Sequence, residues 1–180
     1  MIVLTGASAS GKTEVAKLLF IKYDIKKVIT HTTRPIRLGE KRGVDYHFVD
    51  VEKFKEMIAG EKFVEHIEYN GNYYGTSKKE ISDDKAVIVD PNGVKALQKL
   101  CDNRIVFFRL IASDTTRFNR MLVRGDSLEM IKKRIANDKI CFSDDQYEKI
   151  DYTIDTDKYT IEEVTDMIYS LYQKKISYKA

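Results

Sequence analysis

The residues with the clearest chemistry form a run of eight near the start of the sequence, which matches the phosphate-loop pattern G-x-x-x-x-G-K-[ST] without a mismatch. The run consists of Gly6, Ala7, Ser8, Ala9, Ser10, Gly11, Lys12 and Thr13. Small residues let consecutive backbone N–H groups surround a phosphate, and the N-terminus of a following helix adds partial positive charge. Lys12 can reach the β- and γ-phosphates of a nucleotide, and the Thr13 hydroxyl can bind Mg²⁺. The motif therefore predicts a binding site for a nucleoside triphosphate with Mg²⁺.

Further motifs between residues 30 and 76 narrow this prediction. Thr-His-Thr-Thr-Arg-Pro-Ile-Arg occupies residues 30–37, and Gly-Val-Asp-Tyr-His-Phe-Val occupies residues 43–49. Phe-Val-Glu at 63–65 and Gly-Asn-Tyr-Tyr-Gly-Thr at 71–76 complete the pattern. Together with the phosphate loop, these motifs make the chain resemble the guanylate kinase family over nearly its whole length. The resemblance implies transfer of the γ-phosphoryl group of ATP to GMP or dGMP, with Mg²⁺ accompanying ATP.

Two arginines and two tyrosines have the chemistry to hold the phosphate of a nucleotide acceptor. Arg34 and Arg37 are three residues apart and Pro35 stiffens the segment between them. A guanidinium group can donate hydrogen bonds to two phosphate oxygens at once, and it keeps its positive charge at neutral pH. Tyr46 and Tyr74 can donate phenolic hydrogen bonds to the same phosphate. The resemblance implies that these four residues bind the GMP phosphate, although each of them taken singly would also suit an ordinary surface.

The acceptor base is addressed by a carboxylate and by hydroxyl side chains. One carboxylate can accept hydrogen bonds from both N1–H and N2–H₂ of guanine, whereas adenine would leave the acid unpaired. The resemblance assigns this role to Glu65, with Thr76 beside the base and Thr30 where the family commonly has serine. Without the flanking motif, Glu65 would equally fit a surface position.

An acid follows the predicted strand at residues 86–89. Asp90 can orient Mg²⁺ through water. The family pattern here is usually Asp-x-Asp-x-x-Gly, and alignment on Gly93 places Asp90 at the second acid and Ile88 at the first. The resemblance therefore gives Asp90 a contact on the guanine side, and the contribution of the first acid is absent from this position.

Arginines also cluster in a helical segment that is interrupted at residues 125–127. They are Arg117, Arg120, Arg124 and Arg134. Positioned arginines stabilise the charge that spreads over a transferring phosphoryl group, and a segment broken by glycine can close over substrates. The resemblance makes Arg120, Arg124 and Arg134 lid and core arginines, which are catalytic together with Lys12 and Arg34. We interpret Arg117, which has no family counterpart, as part of a solvated helix face.

Other candidates carry less chemistry. Asp155 stands where the family often has an asparagine that contacts the donor base, so adenine recognition is unassigned. The three histidines do not have a metal-ligand spacing, and the two cysteines, at 101 and 141, have no histidine partner. No general base stands out, which suits a reaction dominated by positioning and charge stabilisation.

Short apolar strands alternate with amphipathic helices and would position these groups. Apolar runs at residues 1–4, 86–89 and 105–110 predict buried strands, each followed by a helical pattern. Residues 160–163, Thr-Ile-Glu-Glu, have the form of a capping box that opens a last helix. Residues 46–49 and 63–69 predict exposed strands, with a helix capped by Asp50 between them and a turn at Asn70-Gly71.

This alternation predicts the α/β class, in the form of a three-layer P-loop kinase fold with a mostly parallel central sheet. An inserted mixed α/β subdomain for the nucleoside monophosphate and a helical lid complete the prediction. We place the core at about 1–29, 77–112 and 143–180, the GMP-binding subdomain at about 30–76 and the lid at about 113–142. The whole chain forms a single domain in this prediction.

Composition limits the partners. The 180 residues suit one domain, and the net charge of +3 is too small to indicate a nucleic-acid partner. No apolar run is long enough to cross a membrane, and the start lacks the features of a secretory signal. Two cysteines form no disulfide framework, so we expect a cytoplasmic protein, either a monomer or a homodimer, with ATP and GMP or dGMP as its partners.

Two alternatives stay open at this point. The chain could be a catalytically inactive, guanylate-kinase-like interaction module, but the phosphate loop, which is typically degraded in such modules, is intact here. It could also be a P-loop kinase for another small phosphorylated acceptor. The presence of Glu65 and Thr76, the residues on the guanine side, argues against this alternative. Turnover of GMP would distinguish a guanylate kinase from both alternatives.

Overall fold

The structure is a computed structural model that describes residues 1–36, 38–69 and 71–177. The strands are β1 (Ile2–Thr5), β2 (Lys26–Lys27), β3 (His31–Thr32), β4 (His47–Phe48), β5 (Phe63–Tyr69), β6 (Asn72–Ser77), β7 (Lys85–Ile88), β8 (Val106–Ile111) and β9 (Tyr152–Asp155). The α-helices are α1 (Lys12–Tyr23), α2 (Val51–Ala59), α3 (Pro91–Gln98), α4 (Asp114–Val123), α5 (Leu128–Cys141) and α6 (Ile161–Ser177).

A parallel sheet of five strands, in the order β2-β7-β1-β8-β9, organises the fold. In the register of this sheet, Leu4 of β1 lies opposite Ile88 of β7 and Phe108 of β8. The carboxyl ends of the three strands therefore meet at one edge, where the phosphate loop leaves β1. The apolar runs correctly predicted β1, β7 and β8, whereas β2 and β9 were not predicted.

Helices cover both faces of this sheet because alternate residues of β1 point to opposite sides. Ile2 and Leu4 pack with Leu19 of α1 and Ile168 of α6, while Val3 packs on the other face with Val94 of α3. Both faces are buried, as expected for a parallel sheet. This confirms the predicted three-layer α/β architecture.

A second, smaller sheet has the order β4-β3-β6-β5. Strands β5 and β6 form an antiparallel hairpin in which Tyr69 is opposite Asn72, while β3 and β4 are parallel, so the sheet is mixed as predicted. In the predicted turn, Gly71 has a φ of 71°, and Asn70 lies outside the described residues. Phe54 of α2 stacks on Phe63 of β5, with ring centroids 4.5 Å apart, and so fixes the helix to the hairpin.

Helices α4 and α5 are separated by residues 124–127, which confirms the predicted break. Each begins at a serine whose hydroxyl accepts a backbone N–H, from Thr116 at Ser113 and from Met130 at Ser127. The capping box of α6 is also present, since Thr160 and Glu163 exchange hydrogen bonds of 2.8 and 3.2 Å. The limits of core, subdomain and lid stay predictions.

Candidate active site

The phosphate loop connects β1 to α1 in a conformation that requires glycine. Gly6 has a φ of 138°, and a Cβ at this position would lie 2.1 Å from the Leu110 carbonyl oxygen. Gly11, which precedes α1, has a φ of 100°. Within the loop, the Ser10 N–H donates to the Ala7 carbonyl at 3.2 Å. The loop is therefore folded tightly against the end of β8.

Lys12 reaches back across the loop. Its Nζ donates to the carbonyl oxygens of Gly6 at 2.6 Å and Ala7 at 2.7 Å. Burial lowers the pKa of Lys12 to about 8, while the carboxylate of Asp138 opposes this effect and the positive charge of Arg117 adds to it. Lys12 is thus held in place, and its charge is sensitive to pH in the neutral to mildly alkaline range.

An open cleft of about 630 Å³ lies beside the loop. Its lining includes Ala9, Gly11, Lys12, Thr13, Leu18, Arg120, Val123, Arg124 and Ile161. Backbone and cationic groups from the loop and α4 can bind phosphates, and the aliphatic side chains can pack on a base. Thr13 is on this lining, and a hydroxyl oxygen such as its own is a suitable ligand for Mg²⁺. The cleft therefore combines what a nucleoside triphosphate requires.

Arg120 connects α4 to the loop and to the end of β9. Its guanidinium donates to the Ala9 carbonyl at 3.1 Å and to the hydroxyl and carbonyl oxygens of Thr156 at 3.0 and 3.1 Å. The buried Thr156 hydroxyl also lies 3.2 Å from the Ser10 carbonyl. Sequence reasoning did not identify Thr156, since its partners are more than thirty residues away along the chain.

Arg124 and Arg134 converge on one acid in the break between the lid helices. Arg124 forms an ion pair with Asp126, and Nη1 of Arg134 lies 3.8 Å from the same carboxylate. The hydrogen bond from Arg124 lowers the pKa of Asp126, and the charge of Arg134 acts in the same direction. Both arginine side chains are about half exposed, so an incoming phosphate can reach them.

The interpretation of Arg117 as part of a solvated helix face was wrong. Only 4% of Arg117 is exposed, and it forms a buried ion pair with Asp138 of α5. Its Nε donates to the Ser8 carbonyl at 2.8 Å. Asp138, which sequence reasoning did not single out, accepts the Ser8 N–H at 2.8 Å. A periodic pattern on α4 gives no sign of a partner on another helix.

The smaller sheet brings together three of the residues predicted to bind the acceptor phosphate. The Arg34 guanidinium carbon lies 5.4 Å from the centre of the Tyr46 ring, and the rings of Tyr46 and Tyr74 are 6.3 Å apart. Arg34 donates to Glu40 at 2.6 Å. The Glu40 carboxylate, and to a smaller degree Tyr74, raise the pKa of Arg34. Arg37 lies outside the described residues.

Glu65 and Thr76 face each other across the β5–β6 hairpin. The Thr76 hydroxyl donates to Oε1 of Glu65 at 2.7 Å, which fixes the orientation of the carboxylate. Thr76 is buried and Glu65 is partly exposed. Thr30 precedes β3, and its carbonyl accepts the His47 N–H at 3.0 Å. The pair Glu65–Thr76 thus presents an oriented acceptor.

The end of β7 carries the remaining predicted residue. Asp90 is exposed and caps α3, since its Oδ1 accepts the Gly93 N–H at 2.8 Å. Ile88 is 41% exposed at the same sheet edge. Asp155, at the end of β9, accepts the Asp157 N–H at 3.0 Å and pairs with Lys158 at 3.2 Å.

Metal and membrane features can be stated for the part of the chain that the structure describes. There, no three side chains of histidine, cysteine, aspartate or glutamate form a metal-binding group. No helix among residues 1–36, 38–69 and 71–177 has the length and apolar composition to cross a membrane.

The fold and the loop geometry define a P-loop protein of the α/β class, and comparisons with known proteins narrow the class. The sequence matches the family model described as guanylate kinase over residues 1–173. Guanylate kinase of Psychrobacter arcticus is 36% identical over 169 residues, which cover 89% of this chain and 80% of the relative. Guanylate kinase of Nitrosococcus oceani is 32% identical over 168 residues, 89% of this chain and 82% of the relative. The chain belongs to the guanylate kinase family.

A solved structure agrees at the level of the fold. The crystal structure of guanylate kinase from Anaplasma phagocytophilum matches with a TM-score of 0.61 and 24% identity. The match covers 97% of this chain and 85% of that one. At this identity the likeness supports the architecture, and the chemistry is argued from the residues themselves.

Proposed function

We propose that this protein is a guanylate kinase, which transfers the γ-phosphoryl group of ATP to GMP or dGMP and releases ADP and GDP or dGDP. The observation that carries the proposal is the hydrogen-bonded pair Glu65–Thr76 beside the cluster of Arg34, Tyr46 and Tyr74, in a chain with an intact phosphate loop.

The proposed acceptor site selects guanine over adenine because adenine would leave hydrogen-bonding groups of the site unpaired. With one oxygen of Glu65 held by Thr76, the carboxylate can accept the two neighbouring N–H groups of guanine. Adenine lacks that pair of donors and would leave the carboxylate with Thr76 alone, without the hydrogen bonds that guanine supplies, which discriminates strongly. Arg34, Tyr46 and Tyr74 then bind the GMP phosphate, and Arg37, Thr30 and Asp90 complete the proposed GMP site.

The donor side binds ATP in the cleft beside the phosphate loop. Loop N–H groups and Lys12 contact the phosphates, while Leu18, Val123 and Ile161 provide apolar surface for the base. Thr13, and Asp90 through water, are the residues proposed to hold Mg²⁺, and the oxygen donors of both suit that ion. When bound with ATP, Mg²⁺ neutralises charge on the β- and γ-phosphates.

The chemical step needs positioned charge more than a base. Negative charge spreads over the transferring phosphoryl group, and Lys12, Arg34, Arg120, Arg124 and Arg134 are the cations proposed to stabilise it. Arg120 is already fixed to the loop, whereas Arg124 and Arg134 share the Asp126 carboxylate. Closure of the helical lid would move these two arginines onto the phosphates and exclude water.

A coupled assay of the purified protein with Mg-ATP and each of GMP, dGMP, AMP, CMP and UMP tests the proposal. We expect turnover with GMP and dGMP, and little with the other three. If neither guanine nucleotide is turned over, the proposal fails. Turnover of a different acceptor would instead favour a kinase for another phosphorylated compound.

Other properties follow as proposals from the sequence. We expect a cytoplasmic protein that is a monomer or a homodimer and binds neither nucleic acid nor membranes. The intact phosphate loop does not favour an inactive interaction module.

A further inference from the structure

The tip of the phosphate loop is held by a buried ion pair that the reaction described above does not use. Asp138 of α5 accepts the Ser8 N–H, and Arg117 of α4 donates to the Ser8 carbonyl, both at 2.8 Å. The two side chains bind each other, and only 4% of Arg117 and 6% of Asp138 are exposed. The backbone N–H and the backbone carbonyl of Ser8 are thus bonded to the negative and the positive member, respectively, of one ion pair.

Burial of this pair makes its contacts to the loop strong and specific. Two charges lose hydration when they are buried, and this costs free energy. Their mutual attraction offsets the cost only where further hydrogen bonds to both groups are well placed. Here the further bonds go to Ser8 and to Asp114, whose Oδ1 lies 3.2 Å from Nη1 of Arg117. Since Arg117 and Asp138 stand on either side of the break at 124–127, the bonds connect both lid helices to the loop.

We propose that Arg117 and Asp138 are positioning residues, which hold the Ser8 peptide so that the phosphate loop keeps its nucleotide-binding shape. This inference rests on the function proposed above. A loop that is fixed before the nucleotide arrives binds phosphate without an ordering cost, and its N–H groups need not reorient during the reaction. The pair also holds the first turn of α4 and the last turn of α5 against the loop. Closing movements are then confined to the part of the two helices nearer the break at 124–127.

The first experiment replaces the whole pair in R117M/D138L, because apolar residues of similar size often replace a buried ion pair without loss of stability. Lys139→Met is the matched control, since it removes the exposed ion pair of Lys139 with Asp114 between the same helices, 2.9 Å long, without touching the loop. Calorimetry with Mg-ATP, steady-state kinetics and thermal unfolding are measured for both.

For the double variant we expect about a tenfold rise in the Kd for ATP, from the loss of charge-assisted hydrogen bonds to the loop. The KM for GMP and the melting temperature should stay close to those of the wild type, and K139M should match the wild type in all three. An unchanged Kd for ATP in a folded double variant overturns the inference. So does an equal rise in the KM for GMP, because that would indicate general loosening.

The second experiment measures the Kd for Mg-ATP by calorimetry in the single variants Arg117→Met and Asp138→Asn. The Kd should rise in both, because each substitution removes or weakens one of the two bonds to Ser8. An unchanged Kd in a folded single variant contradicts the inference; if either single variant does not fold, the double variant decides. Wild type that binds ATP but does not turn over GMP would remove the proposed function, and calorimetry would still test the positioning role.

Discussion

Lys12 is a single residue whose protonation should be visible in the kinetics. Burial lowers its pKa to about 8, so the ammonium group is charged below that pH and increasingly neutral above it. The attraction to the phosphates of ATP is therefore present at neutral pH and lost as pH rises. We expect kcat/KM for ATP to fall above about pH 8, by up to tenfold per unit, in a pH series at constant ionic strength. A profile that stays flat up to pH 9.5, about one and a half units above this pKa, would contradict this prediction.

Glu65 is the residue proposed to carry the specificity for the base. In Glu65→Gln, one acceptor oxygen becomes an NH₂ group that faces a donor of guanine. We expect the KM for GMP to rise roughly 100-fold, because a buried hydrogen bond is replaced by two opposed donors, and the KM for ATP to change less than about twofold.

Glu68→Gln is the control for this variant, since Glu68 is an exposed carboxylate on the same strand. It should behave like the wild type with both substrates. Equal increases in the two KM values of Glu65→Gln would refute the role of Glu65 in base recognition.

At the level of elements, the proposed lid contains arginines that we expect to matter for catalysis and that add little to stability. Arg124 is 53% exposed, so its ion pair with Asp126 contributes at most about 1 kcal/mol. We expect Arg124→Ala to lower kcat by roughly 10³-fold, as for arginines that stabilise a transferring phosphoryl group. The melting temperature should stay within about 2 °C of the wild-type value.

Lys132→Ala, at an exposed position of α5, provides the comparison. It removes a lid cation that does not line the cleft and should leave kcat unchanged. A small effect of Arg124→Ala on kcat, or an equal effect of Lys132→Ala, would exclude the proposed role of Arg124.

Elements with a continuous local signal could be predicted from the sequence. The apolar runs predicted β1, β7 and β8, and the capping box predicted the start of α6. Strand β2 is a pair of exposed lysines, and β9 alternates polar and apolar residues over only four positions. Both exist because a neighbouring strand is available in the sheet, which a local pattern does not reveal.

The same distinction separates the predicted from the missed residues at the site. The phosphate loop is one continuous motif, so its residues could be identified from the sequence, while the contact of Lys12 with phosphates stays a prediction. Arg117 and Asp138 are 21 positions apart, and each lies 109 or more positions from Ser8. On its own helix, each is one charge among several. Only the packing of α4 and α5 against the loop makes them a pair.

On the scale of the whole molecule, the two proposed nucleotide sites lie mainly beside different sheets. The proposed donor cleft is lined by the phosphate loop and by residues of α1, α4 and α6. The cluster around Arg34 lies beside the smaller sheet, and of the proposed GMP residues Asp90 comes from the end of a parallel-sheet strand, β7. The arginines are distributed between the same two regions: of the nine, three lie between positions 34 and 42 and four between 117 and 134. A small net charge of +3 therefore includes two local concentrations of cations suited to two phosphate groups.

This separation predicts that one site can be disabled while the other still binds. A ligand at about 100 times its Kd stabilises a folded protein by roughly 2.7 kcal/mol, which raises the melting temperature by several degrees. In Lys12→Met we expect Mg-ATP to lose most of this shift and GMP to keep it, because Lys12 contacts only the donor loop among the residues described above. The wild type should respond to each nucleotide. If the substitution removes both shifts to the same extent, the two sites are not energetically separate and the assignment of Lys12 to the donor side alone is wrong.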